Sequence, residues 1–553
     1  MAKPKLRIIP FGGVGEIGKN MTVLEYGNSI IVIDCGVMFP EDSMPGIDLV
    51  IPDVSYLLDK KQKVKAFFIT HGHEDHIGAI PYILPHFNVP VYATALASGL
   101  MSVKLRERHL LDQSDLRVVK NGDRIPCGPF DVEFFSVAHS VPDASGLAIR
   151  TPIGMVVHTG DFKIDLTPID SKPTDIGALA RFGTEGVQVL LADSTGVERP
   201  GYTPSESTVG KAFDDIIRNA PGRVIVATFS SLIARIQQVV NISAKHDRKV
   251  AVVGRSMLQN TAMALELGYL HDPGETIQPW EKLANRPPNK VVIVTTGAQG
   301  EPTSALSRMA NRDHRQIQIR KGDTVVLSSN TIPGNEELVF RNIDNLFKLG
   351  ADVIYGADAQ VHVSGHPGRE ELKMLPSITR PNYLVPVHGE VRHLILHGRL
   401  GESLGIPPMH ILIPENGRVM EFTEDSARYN GHVTSSNVFV DGLGVGNIGD
   451  VVLRDRRHLS QDGVVIAIMT VDRRTGKPTG RPDIVSRGFV DGDTEDPVIE
   501  GAREQLFRAL QHLHGGSSME PSYVQNKARD TLQKYFFQKT KRHPMVLGVV
   551  VEV

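Results

Sequence analysis

Cysteine is nearly absent from this chain of 553 residues: only Cys35 and Cys127 occur. Two thiols build neither a disulfide framework nor a cysteine-rich zinc module, and they suit a reducing compartment. An excess of one charge is also missing. The 60 Lys+Arg stand against 63 Asp+Glu, a net charge of −3, so no global basic field gathers a polyanion, which would need a local groove. Long hydrophobic runs are missing too: no stretch approaches the roughly 18 apolar residues of a membrane span. The chain meets Pro10 and a glycine loop before any apolar run long enough for a signal peptide. Secreted disulfide-rich, transmembrane, coiled-coil and collagen-like classes are thereby excluded, and the expectation is a cytoplasmic protein without a membrane partner. The length exceeds one core and predicts roughly three units.

What is present is alternation. Short β-branched runs, among them Ser29–Asp34, Val64–Thr70, Asp131–Val137, Gly154–Thr159, Val187–Ala192, Arg223–Thr228, Val291–Thr295, Thr324–Ser328 and Tyr383–Val387, read as strands. Helical patterns lie between several of them, as at Ser205–Ala220, Leu232–His246 and Glu336–Leu349. That order predicts an α/β protein. The polar, weakly patterned segment Glu424–Asn437 reads as a linker. After it, strands at Gly463–Asp472 and Pro544–Val553 flank helical stretches Pro497–His514 and Tyr523–Lys541, separated by Gly515-Gly516-Ser517-Ser518. This end of the chain reads as a small separate α/β domain.

Gly13-Val14-Gly15-Glu16-Ile17-Gly18 matches the GxGxxG pattern of dinucleotide binding. That fingerprint needs a following helix whose N-terminus receives the pyrophosphate. Here Met21–Tyr26 alternates like a strand and Gly27-Asn28 reads as a hairpin turn, so the loop is taken as a tight turn near the start of a sheet.

The chemistry-bearing segment is Thr70-His71-Gly72-His73-Glu74-Asp75-His76, directly after a strand. Imidazole nitrogen and carboxylate oxygen suit zinc or a similar divalent ion. A lone histidine at a strand end is more often an ordinary hydrogen-bonded residue, but three imidazoles and a carboxylate within six residues together point to ligation. An extended turn can aim His71 and His73 to one side and offer Asp75 and His76 to a second position. His139 and Asp161 each lie just beyond a strand, where open sheets gather their ligands, and complete two adjacent sites.

The pattern HxHxDH, then a distant His, then an Asp resembles the metallo-β-lactamase superfamily. The resemblance implies an αββα sandwich with a two-metal site at one edge. Asp161 would bridge the metals and Asp34 would orient the site from behind its ligands. The final ligand expected of that family is His388, in Pro386-Val387-His388-Gly389-Glu390, far downstream of Asp161. The intervening α/β unit resembles the cap of the β-CASP nucleases. More closely, the phrases IPFGGVGEIGKNM, THGHEDHIGAIPY, TGDFKID, TTGAQGEPTSALSRMA, HVSGHP and PVHGE are similar to the bacterial ribonuclease J family. The boundaries that follow are a metallo-β-lactamase domain at residues 1–203 and 350–423, interrupted by a β-CASP domain at 204–349. A linker at 424–449 and a C-terminal α/β domain at 450–553 complete the order.

That resemblance implies a two-metal ribonuclease holding zinc or manganese. One ion would take His71, His73 and His139, the other Asp75, His76 and His388. Asp75 would also accept a proton from the attacking water, His366 would protonate the departing 3′ oxygen, and Asp193 is the further acidic residue. Ser230 and Ser231 with His362-Val363-Ser364-Gly365-His366 would hold an RNA phosphate, and Asp48 and Asp441 a structural calcium. The implied activity is 5′→3′ exonucleolytic trimming from 5′-monophosphate ends, with internal cleavage, in RNA maturation and decay. A homodimer or homotetramer and an RNA-degradation complex are the implied partners. The family usually carries an amide after the cap-strand serine, where this chain has Leu232, which removes one RNA contact. Basic clusters at Arg308, Arg312, Arg315, Arg320 and Lys321, and at Arg454, Arg456 and Arg457, are RNA-contact candidates, although such clusters are often simply solvated. Rival readings are a DNA-directed β-CASP nuclease, opposed by the histidine at 388, and a small-ester metallo-hydrolase, opposed by the cap. A degenerate scaffold should have lost ligands, and here none is missing.

Overall fold

The computed structural model describes residues 5–41, 43–169, 173–332, 334–473, 479–490, 496–512 and 521–553. The chain divides into two compact units, Met1–Phe39 with Val50–Val438, and Pro40–Leu49 with Phe439–Val553.

In the first unit, β-branched and aromatic runs build two sheets. One has the strand order Ala427–His432, Arg418–Phe422, Leu6–Gly12, Met21–Tyr26, Ser29–Ile33, Val64–Phe68, Val91–Thr94, Leu116–Val119. The other runs Tyr383–Val387, Val187–Asp193, Gly154–His158, Ser145–Thr151, Phe130–Ser136, Arg124–Cys127. Their facing side chains, including Ile8, Leu24, Ile31 and Phe68 from one and Phe134, Leu147, Val156, Leu191 and Val385 from the other, form one buried cluster. The outer face of the second sheet is covered by helices Ile176–Glu185 and Arg369–Thr379 through Leu179, Phe182, Leu372 and Leu375. The outcome is an αββα sandwich.

Between Val187–Asp193 and Tyr383–Val387 the chain forms a separate five-stranded parallel sheet, ordered Lys249–Val253, Val291–Thr295, Val224–Ala227, Thr324–Leu327, Asp352–Ile354. Its three central strands are buried along their whole length, as expected of a parallel sheet covered on both faces. The two strands flanking this insertion pair in parallel, so the sandwich is continuous across it.

In the second unit, helices Pro497–Gln511 and Pro521–Thr540 cover one face of a sheet ordered Asp483–Arg487, Val464–Val471, Met545–Glu552. The stretch Gly515-Gly516-Ser517-Ser518, and the end of the expected helix Pro497–His514, lie outside the described residues.

Two expectations are settled by local pairing. Met21–Tyr26 is a strand in a hairpin with Ser29–Ile33, closed at Tyr26↔Ser29, so the GxGxxG segment does not open a helix. The segment expected to be a linker is corrected: Ala427–His432 is a strand paired antiparallel to Arg418–Phe422. It lies at a sheet edge with most of its residues exposed, so it lacks the alternation by which a half-buried strand is recognised.

Candidate metal centre

The centre is built where strands stop. Ser29–Ile33 ends at Asp34, whose backbone turns to φ 61 and whose N–H still donates to Phe68 O at 3.0 Å. The Asp34 carboxylate then faces the next loop. It accepts from Thr70 N–H at 2.8 Å and from the Thr70 hydroxyl at 2.9 Å, and it lies 2.8 Å from His76 Nδ1. After Val64–Phe68 the chain carries His71 and His73 in a loop and Asp75 and His76 in the single helical turn Glu74–Ile77. In the second sheet, His139, Asp161, Asp193 and His388 stand at or just past the ends of Phe130–Ser136, Gly154–His158, Val187–Asp193 and Tyr383–Val387.

These strand ends bring the donors together around one oxygen. Asp161 Oδ2 lies 3.2 Å from His76 Nε2, 3.6 Å from His71 Nε2, 3.6 Å from His388 Nε2 and 3.8 Å from His139 Nε2. On one side, His73 Nδ1 is 3.1 Å from both His71 Nε2 and His139 Nε2. On the other, Asp75 Oδ2 is 3.5 Å from His76 Nε2 and 3.3 Å from His388 Nε2. His71, His73, His139 and Asp161 thus form one group and Asp75, His76, Asp161 and His388 a second, each with its donor atoms within 4.8 Å of one another.

The ring nitrogens facing away from the centre have their own partners. His71 Nδ1 meets the Thr70 hydroxyl at 3.0 Å, His139 Nδ1 the carbonyl of Gly365 at 2.8 Å, and His388 Nδ1 the Thr195 hydroxyl at 2.6 Å. A hydrogen bond at Nδ1 leaves the Nε2 lone pair aimed inward, the arrangement that ligating histidines use. Gly365 is required here, because a Cβ on it would stand 2.5 Å from His139 Cε1.

Electrostatics divide the two groups. Burial pushes the pKa of His71 and His139 well below its ordinary value and that of His73 to about 4, so these imidazoles are neutral. Burial also disfavours charge on His76 and His388, but nearby carboxylates prevail: Asp161, Asp75 and Asp34 hold His76 well above its ordinary value, and Asp161, Asp75 and Asp193 hold His388 at about 9. Burial would raise Asp75 and Asp161, yet the surrounding imidazoles carry both well below the usual carboxylate range. In the first group, neutral nitrogens face one another with lone pairs that cannot all be satisfied by protons. Their 3.1 Å separations are close to the ~3.3 Å edge of a tetrahedron built on zinc–nitrogen bonds of about 2.0–2.1 Å. The donor set fits divalent cations.

His366 joins the same cavity. Its Nδ1 is 2.8 Å from Asp193 Oδ2, and its ring lies 5.2 Å from those of both His139 and His388. The turn that carries it is held by Arg199 Nη2 and the Thr203 hydroxyl, which donate to His366 O at 3.0 and 2.8 Å. In the same turn, His362 Nδ1 is buried with no hydrogen-bond partner, and burial, with Arg235, Lys163 and Arg199 nearby, lowers the His362 pKa to about 3. Val363 is buried, Ser364 half-buried. Ser230 and Ser231 are half-buried, and no hydrogen bond joins them to the metal-ligand candidates. Ser230 accepts instead from Asn260 Nδ2, while Leu232 is a buried helix cap. Asp48 accepts from Gly442 N–H at 2.7 Å and Asp441 from Arg456 Nη2 at 2.6 Å, and neither belongs to a cluster of three or more ligand types among the described residues. Arg312, Arg315, Arg320, Lys321, Arg454 and Arg457 are exposed, Arg308 half-buried.

Sequence reasoning missed Asn20. Its Nδ2 donates to Asp75 O at 3.0 Å and to Asp75 Oδ2 at 3.2 Å, so the glycine loop reaches the centre after all. A Cβ on Gly13, at φ +81, would stand 2.0 Å from Asn20 Oδ1, so the glycine leaves room for this amide. The signal available was an asparagine closing a glycine loop, which by itself names no chemistry.

Family models match along the chain: the metallo-β-lactamase superfamily at residues 14–225, the ribonuclease J β-CASP domain at 221–346, a Zn-dependent metallo-hydrolase RNA specificity domain at 357–414, and the ribonuclease J C-terminal domain at 451–553. The fold and the paired donor groups therefore define a metallo-β-lactamase hydrolase with a β-CASP insertion and a C-terminal domain. The chain is 42% identical over 548 residues to Ribonuclease J2 of Bacillus subtilis, covering 99% of each chain. It is 44% identical over 555 residues to Ribonuclease J of Thermus thermophilus, covering 99% of this chain and 95% of the relative. The chain belongs to the ribonuclease J family, and so to the metal-dependent nucleases. A crystal structure of a protein of unknown function from Enterococcus faecalis shares the fold, with a TM-score of 0.54 at 17% identity over 76% of this chain and 100% of that one.

Proposed function

We propose that the protein hydrolyses RNA phosphodiester bonds at two divalent cations, trimming 5′→3′ from 5′-monophosphate ends and also cutting internally, in RNA maturation and decay. The observation that carries this reading is the Asp161 oxygen shared by two separate donor groups. His71, His73 and His139 would hold one cation, Asp75, His76 and His388 the other, with Asp161 between them. The match of residues 357–414 to a Zn-dependent RNA specificity domain supports zinc and RNA, with manganese the alternative metal. When bound, the cations would supply charge neutralisation at the phosphate and acidify an attacking water.

The chain's own groups supply the proton traffic and the positioning. Asp75, held by Asn20, takes the proton of the attacking water. His366, with Nδ1 fixed on Asp193, keeps Nε2 free to protonate the departing 3′ oxygen. The turn His362–His366 receives a phosphate of the strand, with the unpartnered His362 Nδ1 in support. In the second unit, Ile468, Leu547, Val549 and Val551 are exposed apolar side chains, which supports assembly into a homodimer or homotetramer.

The test uses matched RNA and DNA oligonucleotides carrying 5′-monophosphate or 5′-triphosphate, with and without chelator. Cleavage of RNA, preference for the monophosphate and abolition by chelator are expected. Asp161→Asn should lower the rate by at least about a hundredfold with folding intact, since it weakens both cation groups. Chelator-resistant cleavage, or equal cleavage of DNA, would overturn the reading.

A further inference from the structure

His388 leaves the strand Tyr383–Val387 with φ 53, a left-handed conformation that residues other than glycine rarely adopt. The neighbouring strand ends beside it, with Asp193 paired to Val387, and turns away through Ser194 and Thr195. Thr195 reaches back to His388 twice. Its Oγ1 donates to His388 O at 3.2 Å and lies 2.6 Å from His388 Nδ1. Ser194 N–H adds a second bond to the same carbonyl at 3.3 Å. Because the hydroxyl proton is committed to the carbonyl, Oγ1 accepts from Nδ1–H. In the neutral form that a ligating imidazole requires, the lone pair then resides on Nε2, the nitrogen 3.3 Å from Asp75 and 3.6 Å from Asp161.

A carboxylate does not compete for this role. Asp193 Oδ1 is 3.7 Å from His388 Nδ1, beyond hydrogen-bond reach, and Asp193 Oδ2 is engaged by His366 at 2.8 Å. Thr195 also donates its backbone N–H to Asp193 Oδ1 at 2.9 Å. One residue therefore holds both the His388 ring and the carboxylate that orients His366.

We propose that Thr195 is the positioning residue of the second cation group, setting the tautomer of His388 and sustaining its left-handed backbone. The proposal rests on the two-cation reading above. Its distinguishing consequence is asymmetry: losing the hydroxyl weakens the group containing His388 and spares the group of His71, His73 and His139.

The full chain is stripped with chelator and titrated with Zn2+ in a calorimeter, with circular dichroism following the fold. Wild type should take up two equivalents. Thr195→Val, which keeps the shape without the hydroxyl, should lower one affinity by about ten- to a hundredfold and leave the other unchanged. Thr195→Ser should restore the wild-type titration. Two wild-type affinities in Thr195→Val would overturn this proposal alone, as would equal weakening of both. Fewer than two equivalents on wild type would overturn the two-cation reading, and this proposal with it. If Thr195→Val and Thr195→Ala both fail to fold while Thr195→Ser folds, the hydroxyl is a structural element and the assignment falls.

Discussion

Single atoms decide what each histidine does. His71, His139 and His388 spend Nδ1 on a hydroxyl or carbonyl and aim Nε2 at the centre, whereas His73 aims Nδ1. His397 shows the opposite outcome. Its Nδ1 meets the Ser194 hydroxyl at 3.0 Å, its Nε2 is buried without a partner, and burial lowers its pKa to about 4. The unfolded chain protonates this ring near the ordinary value of about 6.5, so as pH falls from there to about 4 the unfolded state gains the proton first. Stability should therefore fall with pH across that window by about 3 kcal/mol from this residue. Urea unfolding should show a shallower slope between pH 6.5 and 4 for His397→Leu than for wild type. An unchanged slope would mean the ring is already charged in the fold. The ligand candidates were legible because imidazole and carboxylate announce metal chemistry. Asn20 and Thr195 were not, since an amide or hydroxyl acquires meaning only from what lies within 3 Å of it.

Elements differ in how openly they declare themselves. Ile233–Lys245 carries Arg235, Gln237 and Gln238, polar residues that belong on a solvated face by type, yet all three are buried. Arg235 pairs with Glu206, bonds the Ser328 hydroxyl and donates to Val361 O at 2.6 Å, immediately before His362. Lys163, two residues past Asp161, lies 3.4 Å from Asp165 and 3.9 Å from Glu206. This balanced buried network ties the strand end bearing Asp161 to the turn bearing His366. Arg235→Met leaves Glu206 without its arginine in the interior, so chemical denaturation should show a loss of about 3–5 kcal/mol. A loss below about 1 kcal/mol would mean that Lys163 and solvent suffice for Glu206. The edge strand Ala427–His432 escaped notice for a related reason: the period-2 signal exists only where one face is buried.

Over the whole molecule, the centre draws on strand ends from both sheets, so cation binding should be felt as global stability. A ligand bound only by the folded state at 100 times its dissociation constant adds about 2.7 kcal/mol. Chelation should accordingly lower the calorimetric unfolding midpoint of the first unit by several degrees, and Zn2+ should restore it. An unchanged midpoint would count against resident cations. The strand-end placement of the ligand candidates was readable in the sequence because ligand type and strand propensity are local properties of the chain, whereas the class and the interrupted sandwich followed from resemblance to a known family. Which donors stand close enough to share a cation was decided only in the tertiary structure. Sharing depends on distances of 3–4 Å around one Asp161 oxygen, and those are set by how two sheets pack and where a cap of over a hundred residues returns the chain.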